Sequence, residues 1–240
     1  MSSLKSLKGI GPASLKNLKE AGIFSSDDLL YYYPRTYDYR DTLNSLAEAY
    51  SSAGAGVNLN TVCWVTGFSW FGYGAKKTLK VLISDDSAEG TLVCFGRNFL
   101  KNAFREGEKY FISGTFSLRF GEIQCSNFEF EPYSLTPTNF MKIIPVYPLT
   151  SDLTQGFLKK IIYQAIETRG KYLRNIIPES LIEKNSLLSR PDAVKNIHFP
   201  QSRELLEKAV KTIKYEEYFL FQKSILELKK EKESRLRKKR

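Results

Sequence analysis

Residues 57–131 alternate apolar and polar side chains over several short runs, and this period-two pattern limits the possible folds more than any other feature. Alternation at every second residue is typical of a half-buried β-strand, and Gly- and Asp-containing stretches between the runs favour turns. Five runs fit the pattern: "NTVCWVTGFSWF", "KTLKVLIS", "TLVCF", "EKYFISGTFSLRF" and "GEIQCSNFEFE". Gly67 predicts a bend or a bulge in the first strand, and Gly121 predicts the tip of the last hairpin.

The segment "RNFLKNAF" interrupts the strands with a short helix between the third and the fourth. Three strands, a helix and two further strands form the order of the OB-fold, a five-stranded Greek-key β-barrel. One face and two loops of such barrels commonly bind oligonucleotides. The sequence therefore predicts an OB-fold domain over residues 57–135.

Helical patterns flank this domain on both sides. Residues 1–56 contain short amphipathic helices and end in the small-residue linker "SSAGAG". Residues 136–240 begin with the proline-held connector "MKIIPVYPLT" and continue as helices, the last of which is apolar on more than one face around "YEEYFLFQKSIL". The predicted class is α+β, with boundaries at 1–56, 57–135 and 136–240.

The net charge of +10 is unevenly distributed. Residues 1–56 carry six basic and six acidic groups, and residues 57–135 carry eight of each. The last twelve residues, "KKEKESRLRKKR", carry eight basic and two acidic groups. Such a tail can bind phosphates non-specifically, although a charge run is more often a solvated helix end. The pattern favours the solvated helix end.

Several apparent catalytic or metal-binding motifs are better explained as structure. "GYGAKKT" lacks the Walker A spacing and joins two antiparallel strands, which indicates a hairpin loop. Asp85-Asp86 fits a turn rather than a metal site, and His198, the only histidine, is expected to be packed or hydrogen-bonded. Three separated cysteines indicate reduced thiols in a cytosolic protein, without a signal peptide or membrane span. We predict no catalytic residues and no metal site.

The stretch "LKGIGPASLKNLKEAGI" places Gly9 and Gly11 in a turn that opens a helix, with Lys16 on that helix. Backbone N–H groups at such a helix start can bind phosphate. The turn resembles the second half of a helix-hairpin-helix element, a DNA-binding motif. An ordinary capped helix explains the pattern equally well, so both interpretations stay open.

"TLVCFGRNFLKNAF" places Phe95 and Phe99 four residues apart after the third strand, with Arg97 and Lys101 between and beside them. On a helix this spacing puts both rings on one face. The rings either pack in the core, as neighbouring Phe104 also could, or reach the surface. Exposed rings interleaved with cations would suit flat, anionic partners such as unpaired nucleotides.

The combination of these blocks resembles the N-terminal part of the RecG family, bacterial ATP-dependent helicases that remodel branched DNA at stalled replication forks. The resemblance rests on "LKGIGPASLKNLKEAGIFSSDDLLYYYPRTYDYR", "ISDDSAEGTLVCFGRNFLKNAFREGEKYFISGTF", "IIPVYPLTSDLTQGFLKKII", "IIPESL", "NIHFP" and "KYEEYFLFQ", in the family's order. In that family these blocks precede two motor domains. The resemblance therefore implies the N-terminal wedge region, which binds the junction of forks and Holliday-type structures and separates strands sterically while the motor pulls on the duplex.

The resemblance also implies the site and the partners. The family's two aromatics after strand three, matched here by Phe95 and Phe99, stack on bases left unpaired at the junction; the second is often Tyr in the family. Phosphate contacts are expected from Arg97, Lys101, Arg119, Lys76 and Lys77. Expected partners are branched DNA, the motor domains of the same polypeptide and single-strand-binding protein, in the bacterial cytoplasm near the nucleoid and away from membranes. ATP and Mg²⁺ are expected only in the motor domains, so this chain should have no cofactor and no catalytic activity.

Two other interpretations compete with the wedge. A freestanding single-strand-binding OB protein would leave the long helical region after residue 135 unexplained. A nuclease would need clustered acidic residues or histidines, which the sequence lacks.

Overall fold

The computed structural model describes residues 4–52, 55–74, 77–150 and 152–237. Within these ranges, 3-10 helices lie at Leu4–Ser6, Leu46–Ser52, Asn98–Asn102 and Gly170–Tyr172. The α-helices and strands follow in this order: α1 (Pro12–Glu20), α2 (Ser26–Leu30), β1 (Thr36–Tyr39), β2 (Val57–Phe71), β3 (Thr78–Ser84), β4 (Glu89–Cys94), β5 (Lys109–Arg119), β6 (Glu122–Cys125), β7 (Phe128–Pro132), β8 (Ile143–Val146), α3 (Gln155–Arg169), α4 (Glu179–Lys184), α5 (Arg190–His198) and α6 (Arg203–Arg237).

The chain divides into two compact units. The helical unit comprises Met1–Asp38 and Ile143–Arg240, and the sheet unit comprises Tyr39–Lys142. This differs from the predicted division at residues 56 and 135, because the N-terminal helices share one hydrophobic core with α3, α5 and α6. Leu18 and Leu29 from the front of the chain belong to the same buried cluster as Ile161 and Ile213. Amphipathic periodicity shows that a helix has a buried face but not which distant helix covers it.

In the sheet unit, the described strands pair around a closed path. β2 pairs antiparallel with both β3 and β5, β3 pairs antiparallel with β4, and β5 pairs antiparallel with β6. β4 and β6 complete the path as a parallel pair, and β7 extends the sheet beside β5. The α+β class is confirmed, whereas the assignment of this sheet as an OB-fold barrel stays a prediction.

Two predicted elements of the sheet unit need correction. The last predicted strand is two strands, β6 and β7, separated at Ser126–Asn127, so the described sheet has six strands rather than five. The short helix after β4 is a 3-10 helix that begins only at Asn98. The other local expectations are confirmed: the register of β2 against β3 shifts between Val65 and Gly67, and Gly121 lies between β5 and β6 with a φ of 79°.

Asp85 confirms the predicted turn. Its carboxylate accepts hydrogen bonds from the backbone N–H groups of Ser87 and Ala88 at 2.8 and 2.9 Å, and from that of Leu46 at 2.7 Å. Partial burial alone would raise the pKa of Asp85, but these hydrogen bonds outweigh it and hold the pKa below its usual value. The side chain therefore joins the turn between β3 and β4 to the 3-10 helix at Leu46–Ser52.

The three cysteines, Cys63, Cys94 and Cys125, are free and buried in the core of the sheet unit. Burial raises the pKa of Cys63 and of Cys125 to about 12. A thiol with so high a pKa stays protonated at neutral pH and is a poor nucleophile. These cysteines therefore act as small apolar core residues.

Buried His198 ends α5 in the helical unit and is fully shielded from solvent. Its Nε2 lies 3.0 Å from the carbonyl oxygen of Leu30, and its Nδ1 lies 2.9 Å from the hydroxyl of Tyr147. A neutral ring that donates from Nε2 to Leu30 and accepts at Nδ1 from Tyr147 satisfies both contacts. The expected packed and hydrogen-bonded histidine is confirmed, and it connects the front of the chain to the region after the sheet.

Gly114 is a position of the sheet unit at which an added side chain would clash with its neighbours. It lies on β5 between β2 and β7, and an added Cβ would stand 2.6 Å from the carbonyl oxygen of Asn127 and 2.7 Å from the Cys125 sulfur. The Asn127 oxygen and the nearby Phe128 Cα, 3.2 Å from the added Cβ, belong to the backbone, so relieving the overlap would require a shift of β7. Gly114→Ala should therefore lower the free energy of unfolding by about 2 kcal/mol, as overpacked cores do. Chemical denaturation measures the change. Gly67→Ala is the matched control, because its Cβ would meet only the Leu82 side chain at 3.8 Å; equal stability of both variants would contradict the prediction.

Candidate nucleic-acid interface

The turn that follows β4 carries Phe95, and the 3-10 helix after it carries Phe99. Gly96 has a φ of 65°, a left-handed backbone conformation that favours glycine. The chain therefore turns away from the direction of β4 at this residue. Phe95 therefore lies before the helix, so the prediction that the two rings share one helical face is wrong. Their expected exposure is confirmed, because 61% of Phe95 and 67% of Phe99 are accessible to solvent.

Phe104 supplies the aromatic core packing in this region. It is 2% exposed, its ring centroid lies 4.2 Å from that of Phe130 in a stacked arrangement, and it meets Tyr110 edge-on at 4.9 Å. The sheet unit thus fills its core with Phe104 and leaves Phe95 and Phe99 at the surface. Core packing does not explain the exposed pair.

Arg97 and Asn98 hold this turn in place. The Arg97 guanidinium donates to the carbonyl oxygen of Ser126 and lies 4.4 Å from the centroid of the Phe128 ring. Asn98 Oδ1 accepts from the N–H of Leu79 at 3.1 Å, and its Nδ2 donates to the Lys77 carbonyl at 2.7 Å. The geometry gives Arg97 an anchoring role within the sheet unit, which differs from the outward phosphate contact expected from the sequence.

Each described cation that the sequence predicted for phosphate binding in the sheet unit contacts a different partner. The ammonium group of Lys101 lies 3.4 Å from the centroid of the Phe68 ring, and that of Lys77 lies 4.9 Å from that of Trp70. The Nε–H of Arg119 donates to the Ser117 hydroxyl at 3.3 Å. Lys76 lies outside the described residues. Lys101 and Lys77 therefore contact aromatic rings as well as facing solvent.

A shallow groove joins two of the predicted site residues. It is lined by residues just before β2, at the end of β4 and after it, on β5, on β6 and just after β6: Ala55, Gly56, Val93, Phe95, Thr115, Ser117, Arg119, Gln124, Ser126 and Asn127. Phe95 and Arg119 thus face one cavity, in which an aromatic ring and a guanidinium are combined with small hydroxyl and amide side chains. A flat base and its phosphate need this combination of groups.

The sequence interpretation missed the aromatic side chains at the end of the β2–β3 hairpin. Trp70, Phe71 and Tyr73 are all substantially exposed, and the Phe71 ring meets the Phe95 ring edge-on with centroids 6.1 Å apart. The signal was present in "SWFGYG", where three aromatics surround the hairpin turn. The sequence analysis assigned Trp70 and Phe71 to the first strand and Tyr73 to the hairpin loop, and gave none of them a surface role. The contact of Phe71 with Phe95 depends on strand pairing that the local pattern does not show.

The predicted phosphate-binding turn belongs to the helical unit. Gly9 has a φ of 94°, and the Gln164 amide binds both backbone groups of Lys8, at 2.7 and 3.1 Å, which fixes the turn on α3. The N–H of Gly11 donates to the Ser14 hydroxyl at 2.9 Å. Phosphate binding was expected to use an outward-pointing N–H here, and this N–H is instead directed at Ser14. The capped-helix interpretation accounts for this contact.

Lys16, the remaining predicted residue of that unit, is an exposed side chain on α1. Its ammonium group lies 3.9 Å from the carboxylate of Glu20, one helical turn further along. A pair of this kind on a solvated helix face contributes little to stability and leaves the cation accessible.

Within the described residues, no group of three or more His, Cys, Asp and Glu side chains could hold a metal ion. No helix in this part of the chain is both long and apolar enough to cross a membrane.

The family assignment follows from the sequence as a whole. The family model described as the RecG wedge domain matches residues 3–168, which is more than two thirds of the chain. The chain belongs to the RecG wedge domain family. The matched residues include the helices before the sheet, the sheet unit and nearly all of α3.

Relatives of this wedge domain include two proteins named ATP-dependent DNA helicase RecG. The protein of Borreliella burgdorferi is 38% identical over 222 residues, and that of Treponema pallidum is 31% identical over 220 residues. Each match covers 91% of this chain, and the chain spans 32% and 31% of the relatives' own lengths.

A solved structure of RecG bound to a three-way DNA junction is similar to 97% of the wedge chain, with a TM-score of 0.80 and 28% sequence identity. This chain corresponds to 32% of that solved chain. The similarity in structure therefore extends over both units.

Proposed function

We propose that this chain is the junction-binding wedge of a RecG-type helicase, which acts on branched DNA in repair and recombination. The observation that carries the proposal is the exposed pair Phe95 and Phe99, held at the end of β4 in a chain that resembles RecG on a three-way junction. Exposed aromatic rings are costly in water, but each can stack a base that has lost its pairing partner. A fork junction presents such bases.

In this proposal the sheet unit is an OB-type barrel. The closed path of pairings through β2, β3, β4, β6 and β5, with its parallel β4–β6 pair, supports that assignment. The 3-10 helix stands between β4 and β5, where the predicted order places the helix. The site would then lie at the rim of the barrel, at the end of the third strand; strands two and three form the face through which OB-folds commonly bind oligonucleotides.

The wedge action would require binding and shape but no covalent chemistry. Phe95 and Phe99 would stack on the unpaired bases, while Lys101, Arg119 and Lys77 would contact phosphates without reading the sequence. Arg97 and Asn98 would keep the turn preformed, so that little conformational entropy is lost on binding. The rigid sheet would keep the two strands apart while motor domains outside this chain move the duplex. Single-strand-binding protein remains an expected further partner.

A titration with matched DNA substrates tests the proposed function. Three-way forks, single strands and linear duplexes of equal nucleotide number are bound at one fixed salt concentration, because phosphate contacts make affinity depend strongly on salt. A junction-binding wedge binds the fork most tightly. Tightest binding of the single strand would favour the freestanding single-strand-binding protein instead.

The cofactors of the proposal, ATP and Mg²⁺, belong to the motor domains and not to this chain. The sequence contains no Walker A motif to hold the nucleotide phosphates. We therefore expect no DNA-stimulated ATP hydrolysis by the purified chain in a phosphate-release assay. Hydrolysis that disappears when a residue of this chain is replaced would contradict the expectation.

The basic tail should add affinity but not fork preference. Deleting residues 229–240 removes eight cations and two anions, and Lys229, Lys230 and Lys232 are exposed on α6. Fewer phosphate contacts should weaken binding to fork and duplex by the same factor and reduce the slope of log affinity against log salt. Titrations of both substrates over a salt series measure this. Loss of the fork preference with the tail would place specificity on α6 and contradict the site at Phe95.

A further inference from the structure

The end of the β2–β3 hairpin offers a second aromatic and cationic surface beside Phe95. Phe71, the last residue of β2, and Tyr73, in the turn, are exposed, and Tyr73 is 94% accessible. The Lys80 ammonium group lies 5.7 Å from the centroid of the Phe71 ring. The function proposed for Phe95 and Phe99 does not use these side chains.

The register of the hairpin separates its two faces. Phe71 pairs with Thr78 and Ser69 pairs with Lys80, so Phe71 and Lys80 lie on one face. Trp70 and Phe68 alternate to the other face, where Phe68 packs against the core of the sheet unit. The Phe71 ring is therefore on the outer face, which also carries its contact with Phe95.

The contact between Phe71 and Phe95 makes this surface continuous with the proposed junction site. The ring planes cross at 86° with centroids 6.1 Å apart, an edge-to-face arrangement that leaves ring surface open on both side chains. The spacing exceeds the roughly 3.4 Å rise per base along one strand of a duplex. Neighbouring bases of an unstacked, extended strand could thus each meet a separate ring.

Lys80 places a cation beside these rings. Its ammonium group also contacts the Glu122 carboxylate at 3.1 Å, and Glu122 accepts a hydrogen bond from Gln124. An ammonium group has three N–H donors, so contact with Glu122 leaves donors for a phosphate. Aromatic rings combined with a cation are the groups that single-strand binding requires.

We propose that Phe71, Tyr73 and Lys80 bind unpaired nucleotides of the single strand that leaves the junction at Phe95. This inference rests on the proposed junction binding and extends it to a specific substrate feature, an unpaired arm. The rings would stack successive bases, and Lys80 would contact a phosphate between them. A fork with an unpaired arm is therefore bound more tightly than a fork whose arms are fully paired.

The experiment compares two forks that differ only in an unpaired arm of about eight nucleotides, within the length that one OB-type domain covers. The full chain and its Phe71→Ala/Tyr73→Ala variant are titrated with both. We expect the variant to lose fivefold or more in affinity for the armed fork and to bind the paired fork as the unsubstituted chain does. Lys80→Gln should lose part of the same effect.

Trp70→Ala is the matched control, because Trp70 adjoins Phe71 on the same strand, is equally exposed at 41% and lies on the opposite face. It should leave the advantage of the armed fork unchanged. The inference is overturned if Trp70→Ala loses as much as the Phe71 variant, if the Phe71 variant loses nothing, or if it loses equally on both forks.

Two further outcomes separate this inference from its alternatives. If the unsubstituted chain prefers forks to duplex but gains nothing from an arm, the junction function stands and the inference fails. If it shows no fork preference, the proposed function fails first. A second copy of this chain could instead cover the surface of Phe71, Tyr73 and Lys80, and sedimentation of the chain without DNA tests for such self-association. The inference is overturned if Phe71→Ala/Tyr73→Ala abolishes self-association and leaves the binding of the armed fork unchanged.

Discussion

Replacing Phe95 and Phe99 together with alanine should weaken fork binding tenfold or more and leave the melting temperature almost unchanged. A base stacked on an aromatic side chain contributes about 1–3 kcal/mol, and a factor of ten corresponds to about 1.4 kcal/mol. Because both rings are mostly exposed, their removal opens no cavity in the sheet unit. A fork titration and a thermal melt of the same preparation measure the two effects.

Phe104→Ala is the control for this prediction, because Phe104 lies nearby in sequence and is buried. Truncating a buried phenylalanine typically costs about 3–5 kcal/mol of stability, so this variant should melt much earlier. Below its melting temperature it should still bind forks. A Phe95/Phe99 variant that melts early but binds forks normally would show that the rings serve the fold and that the wedge works without them.

The helical unit should lose about 3 kcal/mol of stability as the pH falls from about 6.5 to about 4. Burial lowers the pKa of His198 to about 4, although its hydrogen bond to the Leu30 carbonyl acts in the opposite direction. The unfolded chain protonates this histidine near its usual pKa of about 6.5, so in this window the unfolded state binds the extra proton. Stability therefore rises with pH through the window and is complete above it. Denaturation at a series of pH values measures the slope.

His198→Gln isolates this effect from the titration of carboxylates. The variant loses the stacking of His198 with Tyr147, so it should be less stable than the original chain at neutral pH. Its stability should depend less on pH between 4 and 6.5, and the gap between the two proteins should narrow as the pH falls. Parallel pH profiles for both proteins would contradict the role of His198.

Features encoded by neighbouring residues could be predicted from the sequence. The α+β class, the bulge at Gly67 and the turn at Asp85 depend on short-range patterns. The residues alone leave the exposure of Phe95 and Phe99 open, and only the resemblance to the RecG family implies it. The packing of His198 was also predicted, because a lone histidine beside apolar residues lacks partners for catalysis. Periodicity and turn chemistry determine such features locally.

Features that depend on distant contacts could not be predicted in this way. The front of the chain and α3 share one core, although the whole sheet unit lies between them in sequence. Phe71 meets Phe95 only because β3 and β4 place the hairpin end beside the turn after β4. The anchoring of Arg97 depends on Ser126 and Phe128, which the break between β6 and β7 brings within reach.

Photo-crosslinking from position 99 tests the central claim, that the exposed pair meets the unpaired bases of a fork junction. The chain carries p-benzoyl-phenylalanine in place of Phe99, is bound to a three-way fork and irradiated, and the attached nucleotides are mapped. A second chain with the same group in place of Tyr50, an exposed aromatic of the sheet unit beside the acidic residues Glu89 and Glu122, is the control. On a fork whose arms are fully paired, we expect crosslinks from position 99 to the nucleotides at the branch point and none from position 50. Crosslinks spread along the duplex arms, or none from position 99 to DNA that is bound, would contradict it.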